Sequence, residues 1–252
     1  DILNKALKNV DGVCHFAALW LLQCHEYPES AFETNVRGTF NVMEACRVNK
    51  VKKLIYSSSA SVYGDAIHSP MREDHPYLNK NFYGATKICC EALLRSYYYR
   101  YNLNYLGLRY MNVYGPRQDY NGAYIAVMMR MIDNIQRGKR PKVIGTGNEG
   151  FDFVSVKDCA EANICALESE KKNEFYNVGT GKKTTLKNLA KKIIKIMNSD
   201  LKIDYIKSKN STLVKSRIGS IVKAKNEINY KFKINLDEGL KELIDWKLNL
   251  DT

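Results

Sequence analysis

Through the first 111 residues, short runs rich in β-branched and aromatic side chains alternate with longer amphipathic stretches, and this rhythm restricts the fold more than any other feature of the chain. Val10 to Phe16, Lys53 to Ser57 and Asn104 to Tyr110 read as strands, with Phe32 to Asn49 and Phe82 to Tyr101 as helices between them. Strand, helix, strand, helix, strand demands right-handed crossovers, and therefore a parallel sheet covered by helices on both faces. The expected fold is α/β and doubly wound.

After Asn112 the rhythm changes. Ala123 to Arg137 reads as a helix, Lys142 to Ile144 and Phe151 to Val156 as strands, and Val156-Lys157-Asp158 as the entry to a helix ending near Glu168. Phe175 to Val178 looks extended, Thr185 to Met197 helical with Thr184 or Thr185 as its cap, and Leu236 to Trp246 is a final helix. This pattern predicts a smaller mixed α/β lobe over 113–252, beside a sheet domain over 1–112 to which the chain returns later.

The chain has 252 residues, 45% of them hydrophobic and 26% charged, with 5 Pro and 15 Gly, so a packed core is expected rather than disorder. The longest nearly uncharged apolar run, Val13 to Leu22, falls well short of the roughly 20 residues that cross a bilayer. Asp1-Ile2-Leu3-Asn4-Lys5 is not the start of a signal peptide. Seven cysteines without a C-x-x-C pair read as reduced thiols of a cytosolic protein, and no metal site is expected.

The formal net charge is +12. Residues 168–252 supply 19 bases against 11 acids, but the bases alternate with apolar residues, as in Lys187-Asn188-Leu189-Ala190-Lys191-Lys192-Ile193-Ile194-Lys195. That is a solvated helix face, not the clustered basic surface of a nucleic-acid binder. The positive potential still favours small polyanions such as nucleotide diphosphates.

Gly145-Thr146-Gly147-Asn148-Glu149-Gly150 is a literal G-x-G-x-x-G. Such a loop cradles a pyrophosphate only between a strand and a helix, and here the period-two run Phe151 to Val156 follows, so a β-turn is expected. No other glycine-rich strand-to-helix turn precedes residue 111. If the first lobe binds a dinucleotide, its first βαβ elements are expected upstream of Asp1, in a segment of roughly 50 to 60 residues, since one such unit takes about 30 or more.

Tyr83-Gly84-Ala85-Thr86-Lys87 places a phenol and an ammonium four residues apart on one helix face. A phenol with a pKa near 10 is a poor base at neutral pH, and lowering it by about three units takes roughly 4 kcal/mol, which an adjacent cation can supply. Leu54 to Gly64 runs from an apolar strand into the hydroxyl cluster Ser57-Ser58-Ser59-Ala60-Ser61, at the strand end where open parallel sheets present ligand-binding groups.

These motifs, together with His15-Phe16-Ala17-Ala18, Asn35-Val36-Arg37-Gly38-Thr39 and Leu108-Arg109-Tyr110-Met111-Asn112-Val113-Tyr114-Gly115-Pro116, resemble the extended short-chain dehydrogenase/reductase superfamily. Within it the chain is similar to NAD-dependent nucleotide-sugar epimerases of the UDP-glucose 4-epimerase type. The resemblance implies a Rossmann-like sheet, N-terminally truncated, with a substrate-binding lobe. It casts Tyr83 as catalytic base, Lys87 as the lysine that holds the nicotinamide ribose and depresses the tyrosine pKa, and Ser59 as the hydroxyl aligning the sugar. It places Asp1 and Ile2 beside the adenine, Phe16, Ala17 and Ala18 along the cofactor cleft, and Asn35, Ser57 and Tyr110 near the cofactor. Asn112 is expected to contact the sugar nucleotide.

Many relatives carry an Arg-Asp-Phe triplet where this chain has Phe151-Asp152-Phe153, so Arg217 is the expected replacement cation for the substrate diphosphate. Dehydratases and decarboxylases of the superfamily put carboxylates where Ser59, Ala60 and Ser61 stand here, which favours an epimerase over those alternatives. A catalytically silent sugar-nucleotide-binding remnant is the competing reading. The resemblance further implies a homodimer through the segments Phe32 to Asn49 and Phe82 to Tyr101.

Overall fold

The computed structural model describes residues 2–120, 126–207, 214 and 216–250. Its centre is a four-stranded parallel sheet in the order β1 (Gly12–His15), β2 (Lys53–Ser59), β3 (Tyr105–Tyr110) and the later strand Glu174–Val178. Both faces of this sheet are covered, so its strands read as apolar runs rather than as alternating ones. Successive side chains still divide between two cores. Leu54, Tyr56, Tyr105 and Phe175 pack with Met43, Cys90 and Leu94 from the two long helices. Ile55, Leu106, Leu108 and Tyr176 face the other way, onto Ala162 and Ala166 of helix Val156–Glu168 and onto Ala224 and Ile228.

The 20-residue helix Phe82–Tyr101 begins where Asn81 accepts a hydrogen bond from Gly84 N and ends at left-handed Asn102, so both its limits are as expected from sequence. The other long segment opens as a π-helical stretch, Phe32–Arg37, before continuing as Gly38–Val48. A third core fills the lobe, where Met128, Met129, Met131 and Ile132 of Val127–Gln136 meet Leu189 and Ile193 of Leu186–Ile196 and Leu240 and Leu243 of Leu236–Leu248. Thr185 caps the second of these helices. The first was expected from Ala123; it begins at Val127, and residues 123–125 lie outside the described ones.

The expected strand Phe151 to Val156 is instead two strands with a break at Asp152. Gly150–Phe151 pairs with Ser216–Arg217 and Thr184–Thr185, whereas Phe153–Ser155 pairs with Asn112–Tyr114. The cause is the buried Asp152 carboxylate, which accepts from Thr180 N, Thr180 Oγ1 and Gly181 N and ties the backbone to a neighbouring loop. Val156 already belongs to the next helix. The Gly145–Gly150 loop links two strands, with Gly145 and Gly147 at positive φ and Glu149 accepting from Thr146. It is a turn.

Leu21–Glu26, Ile2–Ala6 and Val222–Ile228 are short helices that the sequence pattern did not suggest. Cys24, Cys46, Cys90 and Cys159 are buried free thiols, while Cys14 and Cys89 are exposed. Among the described residues, no helix is long and apolar enough to cross a membrane.

Candidate active site

β2 delivers its three serines to the carboxyl end of the sheet, and each is used differently. The Ser57 carbonyl accepts from Lys87 Nζ at 2.7 Å, the Ser58 hydroxyl donates to Glu91 Oε1 at 2.6 Å, and Ser59 Oγ accepts from Ser61 N at 3.1 Å, capping the short 3-10 helix Ala60–Val62. Tyr83, Lys87 and Glu91 recur every four residues, so one face of the Phe82–Tyr101 helix confronts this strand end. Gly84 permits the approach, because a Cβ there would lie 2.6 Å from Ser61 O and 2.2 Å from Asn79 Oδ1.

Tyr83 meets Ser59 at the centre of the cluster. Burial pushes its phenol above the ordinary tyrosine range, while the Ser59 hydroxyl and the Arg217 charge pull it down. Lys87, only 4% exposed, is drawn down to about 8 by burial. Its ammonium lies 5.0 Å from the Tyr56 ring centroid and 5.6 Å from that of Tyr83, and donates to the strand carbonyl. Lys87 thus stands beside the Tyr83 ring while its ammonium is directed to Ser57 O.

Arg217 reaches the cluster from the lobe. Its strand runs parallel to Gly150–Phe151 with Arg217 opposite Phe151, and its Nη1 lies 3.5 Å from Ser61 Oγ. The cation expected to compensate for Phe151 is thus that residue's register neighbour. Burial lowers Arg217 to about 10.

Beyond the end of β1, Phe16 and Ala17 are exposed and Ala18 is half-buried. Asn35 is buried beneath them, exchanging hydrogen bonds with Leu19 N and O and donating to Thr86 Oγ1, so its amide holds the wall of this cleft. His15 contacts Thr39 Oγ1 at 2.9 Å, and burial together with the Lys87 charge lowers it to about 4, which keeps it neutral. The Tyr110 hydroxyl accepts from Asn163 Nδ2. Asn112 donates through both backbone and side chain to Asp152 O, so its amide is engaged within the fold. Ile2 is exposed on a helix that packs against Gly38–Val48, and Asp1 lies outside the described residues.

Sequence reasoning missed the support beneath this cluster. Glu91 pairs with Arg109 through Nε at 2.9 Å and Nη2 at 2.7 Å, and Arg109 Nη1 donates to Tyr63 OH and Glu73 O. The four-residue spacing Tyr83, Lys87, Glu91 was the available signal. Arg109 gave none, because a strand residue with both sheet faces covered is expected to be apolar.

Comparison with known proteins agrees with this fold. A UDP-N-acetylglucosamine 4-epimerase from Methanobrevibacter ruminantium, solved with UDP-N-acetylmuramic acid, superposes with a TM-score of 0.95 at 34% identity, covering 99% of this chain and 80% of that one. The Thermotoga maritima UDP-glucose 4-epimerase with UDP-glucose gives a TM-score of 0.94 at 30% identity, covering 100% and 82%. A UDP-glucuronate 4-epimerase from Thermodesulfobacterium geofontis is 30% identical over 98% of this chain and 77% of its own length. The sequence pattern shared by NAD dependent epimerases and dehydratases matches residues 1–179. With its parallel sheet, its serine-lined strand end and the Tyr83–Lys87 helix closing on it, the chain belongs to the NAD dependent epimerase/dehydratase family of enzymes.

Proposed function

We propose that the chain epimerises a nucleotide-diphosphate sugar at a ring carbinol, C4 of a UDP-hexose or UDP-N-acetylhexosamine, through a transient 4-keto sugar. The observation that carries this reading is the meeting of the Tyr83 phenol and the Ser59 hydroxyl at the carboxyl end of β2, with Lys87 fixed beside them. As its phenolate, Tyr83 takes the carbinol proton and later returns it, while Ser59 orients the hydroxyl for that transfer.

NAD is the family's cofactor, and when bound it supplies the acceptor and donor of hydride. The residues present fit its nicotinamide end. Lys87 spends one of its three N–H donors on Ser57 O and keeps two for a ribose, and Phe16 and Ala17 form an exposed shelf beyond β1. Ala18, Ser57 and Tyr110 complete that wall, with Asn35 supporting it from below.

A 4,6-dehydratase needs a carboxyl acid near the reacting ring. The strand end carries Ser59, Ala60 and Ser61 instead, and Glu91 on the helix is engaged by Arg109, Ser58 and Tyr77. Replacing Tyr83 by Phe removes the proton acceptor while keeping the ring, so epimerisation of UDP-sugars should fall about 10²- to 10⁴-fold. Parental turnover in Tyr83→Phe would overturn the mechanism.

The same reading includes a cytosolic homodimer. It is supported by the buried free thiols and by Val48, Tyr99 and Tyr101, which stay exposed on the two long helices. Sedimentation of the chain as a monomer at micromolar concentration would refute the dimer.

A further inference from the structure

Arg217 is held where a cation has little to bind. Its backbone is fixed by the pairing with Gly150–Phe151 and by Asp152 N, which donates to Arg217 O at 3.0 Å. Its Nε is buried without a hydrogen-bond partner, and among the described residues Nη1 makes one long contact, 3.5 Å, to a neutral hydroxyl. Among the described residues no carboxylate lies within ion-pair distance of it; Asp65, whose charge it feels, is 3.5 Å from Lys80. A guanidinium N–H buried without an anion is costly, and the planar fork matches a carboxylate.

We propose that Arg217 binds a carboxylate carried by the sugar itself, beside the carbinol that Tyr83 deprotonates, so that the chain selects nucleotide-linked uronic acids over neutral hexoses. This rests on the C4 epimerisation proposed above and puts a uronic acid in place of the neutral hexose or N-acetylhexosamine named there. Position decides between the two anions of such a ligand. The Arg217 charge acts on the Tyr83 phenol and its Nη1 reaches Ser61, two residues beyond Ser59 on the same strand end. In a pyranose reacting at C4, the C6 carboxylate hangs from the neighbouring carbon, whereas the diphosphate leaves from C1 at the far end of the ring. A cation within electrostatic reach of the base therefore faces the C6 group.

Calorimetric titration of the full chain, with NAD present, using UDP, UDP-glucose and UDP-glucuronate, tests this. The wild type should bind UDP-glucuronate about 10- to 100-fold more tightly than UDP-glucose, the range of a charge-assisted hydrogen bond. Arg217→Gln should abolish that preference and leave UDP and UDP-glucose within about twofold, with Arg217→Lys keeping part of it. Equal wild-type affinity for the two sugars would overturn the proposal whether or not the variants fold. A similar loss for all three ligands in Arg217→Gln would also overturn it, assigning the cation to the diphosphate. If the wild type bound none of the three, the proposed function would fall, and this inference with it.

Discussion

Arg109 Nη2 lies 2.7 Å from Glu91 Oε2, and each side chain is only 1% exposed. The pair joins β3 to the helix that carries Tyr83 and Lys87, and through Ser58 it also grips the end of β2. Tyr63 and Tyr77 bring in the intervening loop. A buried pair of this kind contributes little as a pair, but removing one member strands the other charge in a low-dielectric interior.

Glu91→Ala should therefore destabilise the chain by about 3–5 kcal/mol, measured as a fall in the urea midpoint. Arg109→Met combined with Glu91→Leu removes both charges and should recover much of that loss, without restoring activity, since Ser58 is no longer anchored. A double variant no more stable than Glu91→Ala would show that the pair is not the origin of the effect.

Gly84 gives a different kind of prediction, because the helix touches the strand end through it. A methyl group placed there would overlap the Ser61 carbonyl and the Asn79 side chain. Gly84→Ala should raise intrinsic helix propensity by up to about 1 kcal/mol, yet lower turnover at least tenfold by pushing Tyr83 away from Ser59. The expected signature is a reduced kcat with a Tm that does not rise. Unchanged kcat would mean that the spacing between helix and strand is not critical.

The sheet and the helix face shared by Tyr83 and Lys87 could be read from the chain because each follows from local periodicity, whereas the choice of Ser59 within the serine cluster rested on the family resemblance alone. Apolar runs such as Leu54-Ile55-Tyr56 mark strands buried on both faces, and a four-residue spacing puts two groups on one helix face. What was not legible arises from tertiary hydrogen bonds. Nothing around Phe151-Asp152-Phe153 announces that its Asp would accept from Thr180 and Gly181, 28 and 29 residues further on, and split the strand. Arg217 could be suspected because Phe151 stands where the resemblance expects an Arg, but its place opposite Phe151 depends on a pairing across 66 residues that no local pattern encodes. Asn35 and Asn112 are placed toward the ligands only by the family resemblance, and their hold on Leu19 and Asp152 O is a tertiary contact that no local pattern shows.

Asp152 supplies a third test. Its carboxylate receives three donors from the 180–181 loop, and burial raises its pKa while those hydrogen bonds lower it. Asp152→Ala should cost about 2–4 kcal/mol through donors left unsatisfied. It should also loosen Arg217, whose carbonyl accepts from the same residue's backbone. Weaker sugar-nucleotide binding alongside the lower Tm is the expected combination. A lower Tm with unchanged binding would separate the loop from the site.

Lys87 links the site to pH. Burial sets it at about 8, below its ordinary value of 10.5. Between those two values the unfolded chain carries a proton that the folded chain has released, so this group makes stability rise with pH over that window and contributes no such slope well below 8. Function moves in the opposite direction. The ammonium needed beside the Tyr83 ring and at a bound ribose is lost through the same interval, so kcat/KM should decline above about pH 8. Lys87→Met has no proton to release. The difference in unfolding free energy, wild type minus Lys87→Met, should therefore climb between pH 8 and 10.5, approaching about 1.4 kcal/mol per pH unit, and stay flat from pH 6 to 7. Urea unfolding of both proteins across that range measures it, and a flat difference throughout would show that Lys87 titrates in the folded chain as an exposed lysine does.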